Sequence, residues 1–222
     1  MPCILIADDH PLFREALKVA VLRVLPGTTI VEADHADALF AAAEANPQAD
    51  LLLLDLNMPG VRGYGALVHL RAVRPQLPVV VVSAREDPIT MRRALDHGAA
   101  GFIPKSADTR TIHLALDAVL MGGTWAPAAA ATVKGISSEE AQLARRVREL
   151  TPQQLRVLTM LGDGLLNKQI GEILKISEAT VKNHMTEILR KLHARNRTQA
   201  VLLAARLALD PADVKAPPEE GN

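Results

Sequence analysis

Cysteine is almost missing from this sequence: Cys3 is the only one in 222 residues. A lone thiol forms no intrachain disulfide and cannot build a Cys-rich metal site, so its simplest role is strand packing. Also absent is any run of 18 apolar residues free of charge, so the sequence offers no membrane span. The opening MPCILIADD lacks the basic segment and long apolar core of a signal peptide. A cytoplasmic protein with no membrane partner is the expectation. Net charge is missing as well, with 25 basic and 25 acidic side chains. That balance hides an asymmetry. Residues 1–125 hold 14 acidic against 11 basic side chains, whereas 150–208 hold 4 acidic against 9 basic. A basic C-terminal module beside an acidic N-terminal one points to a nucleic-acid partner for the second half.

What the chain does have is two rhythms. In the first, short aliphatic runs at 3–9, 28–34, 51–56, 78–84 and 101–105 alternate with helix-length amphipathic stretches near 11–25, 36–45, 64–73, 88–97 and 109–121. Five β-α units in about 120 residues predict a flavodoxin-like, doubly wound, five-stranded parallel sheet over 1–121. Ligands of such sheets sit at the carboxyl ends of the strands. The region 122–147 reads as a linker carrying one helix, with Ser137 and Glu140 at capping-box spacing. From Thr151 onward there are no strand signals. Thr151 with Gln154, then Asn167, Ser177 and Thr198, are candidate caps of four helices in an all-α module over 148–209. The Pro-rich, charged tail 210–222 reads as disordered.

The strand ends carry chemistry. LLLLDLNMPG places Asp55 where the apolar run predicts another aliphatic residue, and an unpaired buried carboxylate is costly. The first strand ends in Asp8 and Asp9, the fourth in Ser83 and the fifth in Lys105. An acid after one strand can simply cap the next helix, but five matching residues at four strand ends make a set. Converging carboxylates repel and raise one another's pKa, and a hard divalent cation such as Mg2+ relieves this. With a hydroxyl and an ammonium beside it, such a pocket suits a phosphoryl group, which an aspartate can accept by attack on phosphorus.

These residues, ADDH at 7–10, LLLLDLNMPG, VVVVSA and GFIPKS, resemble the receiver domain of two-component response regulators. The resemblance implies that Asp55 is the phosphoacceptor, loaded by a sensor histidine kinase. It implies that Asp8, Asp9, Asp55 and the backbone carbonyl of Asn57 hold Mg2+, and that Lys105 pairs with the phosphoryl oxygens. Ser83 is then the switch hydroxyl and Phe102 the switch aromatic, both drawn inward on phosphorylation. That position is often tyrosine, and phenylalanine has no hydroxyl to exchange partners. His10 reads as a helix N-terminal residue, and His69, His97 and His113 as structural. A phosphatase or phosphotransferase is the enzymatic alternative, but the chain lacks a cap-sized insertion to enclose a substrate. A receiver that docks or dimerises without phosphate is the other.

LTPQQLRVLTML, NKQIGEILKISEATVKNHMTEILRKL and RNRTQAVLLA resemble the LuxR-type helix-turn-helix of the NarL/FixJ group. Ile170, Ile173, Leu174 and Ile176 are expected to pack on Val181, Ile188 and Leu192. The resemblance makes 178–192 the recognition helix on a double-stranded DNA operator, and makes the last helix a pairing element of an active homodimer. Contact with RNA polymerase is left open. Lys182, Asn183 and Thr186 are the expected base contacts; Thr180, Lys168, Arg190 and Lys191 are expected on phosphates. Two departures stand out. Gln154 and Arg156 replace acids of the family's first helix, and Gly171 stands where alanine is usual, at a helix-propensity cost of about 1 kcal/mol.

Overall fold

A computed structural model describes residues 1–207, and of Arg62 the backbone alone. The expected helix end at 208–209 and the tail 210–222 lie outside the described residues. The N-terminal half is a five-stranded parallel sheet in the order β2-β1-β3-β6-β7. Its strands are β1 (Cys3–Ala7), β2 (Thr29–Ala33), β3 (Leu51–Asp55), β6 (Val79–Ser83) and β7 (Gly101–Pro104). The switch point, where connections leave in opposite directions, lies between β1 and β3.

Strand alternation divides the core in two. Leu51, Leu53, Val80 and Val82 face Leu17 and Val21 of α1 (Pro11–Val24) and Ile112 and Leu116 of α5 (Thr109–Leu120). Leu52, Leu54, Val79 and Val81 face the other way. There they meet Leu39 of α2 (Ala36–Ala45), Leu67 of α3 (Gly65–Val73) and Met91 of α4 (Pro88–Asp96). Burying each leucine favours the fold by roughly 2 kcal/mol, so β3, with no exposed face, cannot slip in register.

The chain after Asp55 folds into a small hairpin, β4 (Asn57–Met58) with β5 (Val61–Arg62). Gly60 at its tip has φ +87°, and a Cβ there would stand 2.9 Å from the Ala36 Cβ. Steric strain and a close neighbour both reserve the position for glycine.

A 3-10 turn (Ala128–Thr132) and α6 (Ser138–Val147) lead to α7 (Pro152–Gly162), α8 (Asn167–Leu174), α9 (Glu178–Leu192) and α10 (Arg197–Ala205). Thr151 and Gln154 form both halves of a capping box, and Ser177 caps α9 through the Thr180 amide at 3.0 Å. Two expected caps are displaced. Leu166, not Asn167, precedes α8, its amide bonded to Gln169 Oε1 at 2.8 Å. Asn196, not Thr198, caps α10 through the Gln199 amide at 2.9 Å. At α10 polar residues adjoin and the spacing to Gln199 selects Asn196; at α8 the Gln169 side chain, reaching back to the Leu166 amide, sets the start one residue earlier. Ile173, expected inside, is 53% exposed, whereas Ile170, Val181, Ile188 and Leu192 are fully buried.

Gly171 now has a reason. A Cβ on it would stand 2.8 Å from the Ile176 carbonyl oxygen, in the turn between α8 and α9. Backbone, unlike a side-chain tip, cannot move aside cheaply. Helix propensity alone says Gly171→Ala gains about 1 kcal/mol. The contact reverses that sign: the variant should melt lower than the wild type, as thermal unfolding will show.

Candidate functional site

The carboxyl ends of three strands and the residues that follow them meet in one pocket. Lys105, just after β7, reaches Asp8 Oδ2 at 2.6 Å and Asp55 Oδ2 at 2.8 Å. Asp8 and Asp55 are nearly fully buried, at 1% and 4% exposure. Ligand atoms of Asp8, Asp9, His10 and Asp55 all lie within 4.8 Å of one another. The Asn57 amide donates to Asp55 Oδ1 at 3.2 Å, fixing the carboxylate from below. Ser83 closes β6 with its Oγ accepting from the Arg85 amide at 3.1 Å, while its carbonyl accepts from the Lys105 amide at 2.8 Å. Asp8, Asp9, Asp55 and Lys105, singled out at strand ends in the sequence, lie together here, and His10 joins them.

Electrostatics follow from one cation shared by several acids. Burial pushes the Asp55 carboxyl above its ordinary pKa; Lys105 opposes this only in part, and the Asp8 charge adds to the rise. Burial alone would lower the Lys105 pKa, but hydrogen bonds to Asp55 and Asp8 outweigh it, and the ammonium is held above its usual value. For Asp55 burial wins over the lysine, whereas Lys105, with two carboxylate partners, keeps its proton more firmly. Three hard oxygen donors facing one ammonium leave an uncompensated negative charge, which fits a divalent cation such as Mg2+.

Three features were not read from sequence. Lys105 Nζ also lies 4.8 Å from the Phe13 ring centroid, which confines the ammonium on its apolar side. His10 Nδ1 is 2.7 Å from Asp9 Oδ1 and 3.2 Å from Asp8 Oδ1, so it belongs to the pocket as well as to the start of α1. Phe102 is fully buried, so the inward swing expected of it has no outward starting point here.

On α9, Lys182, Asn183, Thr186 and Arg190 are exposed together, as is Lys168 on α8, and Thr180 is half-buried. The exposed cations have acidic neighbours: Lys182 pairs with Glu178 at 3.0 Å and Arg190 with Glu187 at 2.9 Å. Lys191 differs. Its ammonium donates to the Glu149 carbonyl at 2.7 Å and to Gln154 Oε1 at 2.8 Å, which ties α9 to the start of α7. Arg156, the other departure in α7, pairs with Asp37 of α2.

Residues 4–117 match the family model of the response regulator receiver domain, and residues 148–204 that of bacterial regulatory proteins of the luxR family. The chain is 42% identical over 207 residues to the glycerol metabolism activator of Pseudomonas putida, spanning 90% of this chain and 94% of that one. It is 34% identical over 212 residues to the nitrate/nitrite response regulator protein NarP of Escherichia coli, spanning 90% and 93%. Among solved structures, RcsB from Salmonella enterica serovar Typhimurium, bound to a promoter in the presence of a phosphomimetic, shares the fold. Its TM-score is 0.54 at 22% identity, over 93% of this chain and 99% of that one. A LuxR family DNA-binding response regulator from Silicibacter pomeroyi aligns at TM-score 0.51 and 32% identity, over 58% and 98%. With a receiver pocket at one end and a LuxR-type helix-turn-helix at the other, the chain belongs to the two-component response regulators of the NarL/FixJ group.

Proposed function

We propose that phosphorylation of Asp55 by a partner histidine kinase switches DNA binding by α9, and so transcription. The observation that carries this reading is the single ammonium of Lys105 held between Asp8 and Asp55 at the edge of the sheet. An Asp55 oxygen attacks the phosphorus of the kinase's phosphohistidine; the new O–P bond forms as the P–N bond breaks, and the imidazole leaves with the electron pair. Lys105 is placed to exchange its carboxylate partner for a phosphoryl oxygen, and the Ser83 hydroxyl to donate to another. Asp8, Asp9, Asp55 and the Asn57 carbonyl would hold Mg2+, which would neutralise phosphoryl oxygens when bound. Slow attack by water at the same phosphorus returns the chain to rest, so it turns over its own phosphate but no external substrate.

The working division is a receiver at 1–121, a linker at 122–147 and a DNA-binding module at 148–209, with the active form a homodimer on an operator. Lys182, Asn183 and Thr186 reach bases, and Thr180, Lys168 and Arg190 reach phosphates. Lys191 joins them only by giving up its bonds to Glu149 and Gln154. Seated at a promoter, such a dimer acts on RNA polymerase by recruiting or excluding it. No helix among the described residues is long and apolar enough to cross a membrane; a DNA partner supports a cytoplasmic location.

The test is footprinting on genomic fragments with and without acetyl phosphate and Mg2+. Protection that sharpens with the donor supports the reading; identical protection in both lanes rejects it and favours a receiver that only docks. On a fragment so found, Lys182→Ala should cost about 1–3 kcal/mol and relax base preference at one position. About three phosphates neutralised per protomer give a dimer a log–log salt slope of roughly −5.

A further inference from the structure

Lys105 has a third neighbour besides its two carboxylates. Its ammonium lies over the Phe13 ring, 4.8 Å from the centroid, while it reaches Asp8 Oδ2 at 2.6 Å and Asp55 Oδ2 at 2.8 Å. The Lys105 side chain is only 15% exposed. An aromatic face attracts a cation through its quadrupole, and does so more strongly where water is excluded. Aromatic side chains are scarce in this chain, which has three phenylalanines, one tyrosine and one tryptophan. Packing alone would be met at position 13 by leucine, the residue that recurs along α1 at Leu12, Leu17 and Leu22.

The start of α1 holds the ring in place. Pro11 opens the helix, and the amides of Phe13 and Arg14 both donate to the His10 carbonyl at 3.1 Å. Arg14 ties this turn to the pocket and to the neighbouring strand. Its Nη1 donates to the Asp8 carbonyl at 2.7 Å and its Nε to Glu32 Oε2 of β2 at 3.0 Å. Lys18, one turn on, donates to the same Glu32 carboxylate at 2.9 Å. Hydrogen bonds from Lys18 and Arg14 hold that carboxyl below its ordinary range. Phe13 itself is partly buried, packed on the core face that contains Leu17 and Ile112. The ring is thus a fixed wall on one side of the ammonium.

We infer that Phe13 is a positioning residue for phosphoryl transfer: its ring keeps the Lys105 ammonium in the gap between Asp8 and Asp55, where an incoming phosphoryl oxygen meets it. This rests on the reading of Asp55 as phosphoacceptor. The physical need is specific. Lysine carries a compact charge on a flexible four-carbon stem. Asp8 and Asp55 both draw that charge, and the transfer takes one of them away, because Asp55 gives an oxygen to phosphorus. An ammonium held by carboxylates alone would then follow Asp8 or turn to water. With the ring behind it, the ammonium stays within reach of the phosphoryl oxygens as their charge grows, and a charge already in place lowers the barrier without reorganisation. Phe13 touches no reacting atom and acts through Lys105.

The test separates the ring's face from its bulk. In the full chain, with acetyl phosphate and Mg2+, Phe13→Leu should slow phosphoryl labelling, followed by mass, about fivefold, the scale of one partly desolvated cation–π contact. Phe13→Tyr keeps the aromatic face and should label within about twofold of the wild type. Trifluorophenylalanine at position 13 nearly keeps the size of the ring but drains its face of negative charge, and should be as slow as Phe13→Leu. A second arm needs neither donor nor metal. In EDTA, Phe13→Leu should lower the melting temperature about 3 °C more in the wild type than in Lys105→Met, which has no cation to hold. Equal losses in both backgrounds, or labelling of the trifluorophenylalanine chain at the wild-type rate, reduce the ring to packing and overturn the inference. A wild type that never labels overturns the Asp55 reading and this role with it; a wild type that labels beside unchanged variants overturns this role alone.

Discussion

Asparagine at position 55 should abolish phosphorylation outright. With acetyl phosphate and Mg2+, the wild type gains a phosphoryl group that hydroxylamine removes, as an acyl phosphate requires; Asp55→Asn gains none by mass spectrometry. An amide oxygen is a poor nucleophile and its nitrogen cannot carry a stable phosphoryl group, while Asn keeps the size of the side chain and one oxygen to accept from either the Asn57 amide or Lys105. Full labelling of the variant would place the acceptor elsewhere. The same substitution changes stability in a direction set by the pocket. Burial raises the Asp55 pKa in the folded state. A carboxyl with a raised folded pKa stabilises below its unfolded value, and that contribution is lost as pH rises through the folded value. Without Mg2+, wild type should therefore lose stability above about pH 4, a decline that starts at the unfolded Asp pKa. Asp55→Asn should lack that component of the decline and melt higher at pH 7.

The pocket was legible because buried parallel strands tolerate so little else. A charge ending a run such as Leu51–Leu54 must be paired, and strand order brings the paired groups to one edge. The β-α rhythm sets that order, so Asp8, Asp55 and Lys105 could be placed together before any coordinates. The helix caps at Leu166 and Asn196 were harder. Several polar residues adjoin each start, and one or two residues of slippage hardly alter the hydrophobic period. Lys191 and Gly171 depend on tertiary neighbours that helical spacing does not name. The Arg93 contacts between the two halves were beyond sequence for a simpler reason. Arg93 meets Glu140 across 47 residues and the Arg206 carbonyl across 113, and nothing local marks such pairs. Arg156 is the instructive case. It replaces an acid of the family's first helix, and its guanidinium pairs with Asp37 across the two halves.

Removing the ammonium should produce the largest change in stability. In Lys105→Met the methionine keeps the apolar stem beside Phe13, but Asp8 and Asp55 lose their shared cation. With Lys105 only 15% exposed and both carboxylates at 5% or less, solvent screens the loss poorly. Stripping one partner from a buried ion pair costs about 3–5 kcal/mol. For a protein of this size, that corresponds to a fall in melting temperature on the order of 10 °C in EDTA. Here the penalty has a distinctive remedy. Mg2+ replaces the missing positive charge among the same oxygens, so saturating Mg2+ should recover most of the loss and stabilise the variant more than the wild type. A buried hole left by a shortened side chain would show no such rescue. If Lys105→Met melts with the wild type in EDTA, the carboxylates do not depend on that ammonium. If it melts low and Mg2+ restores nothing, the oxygens around Asp55 do not form a cation site.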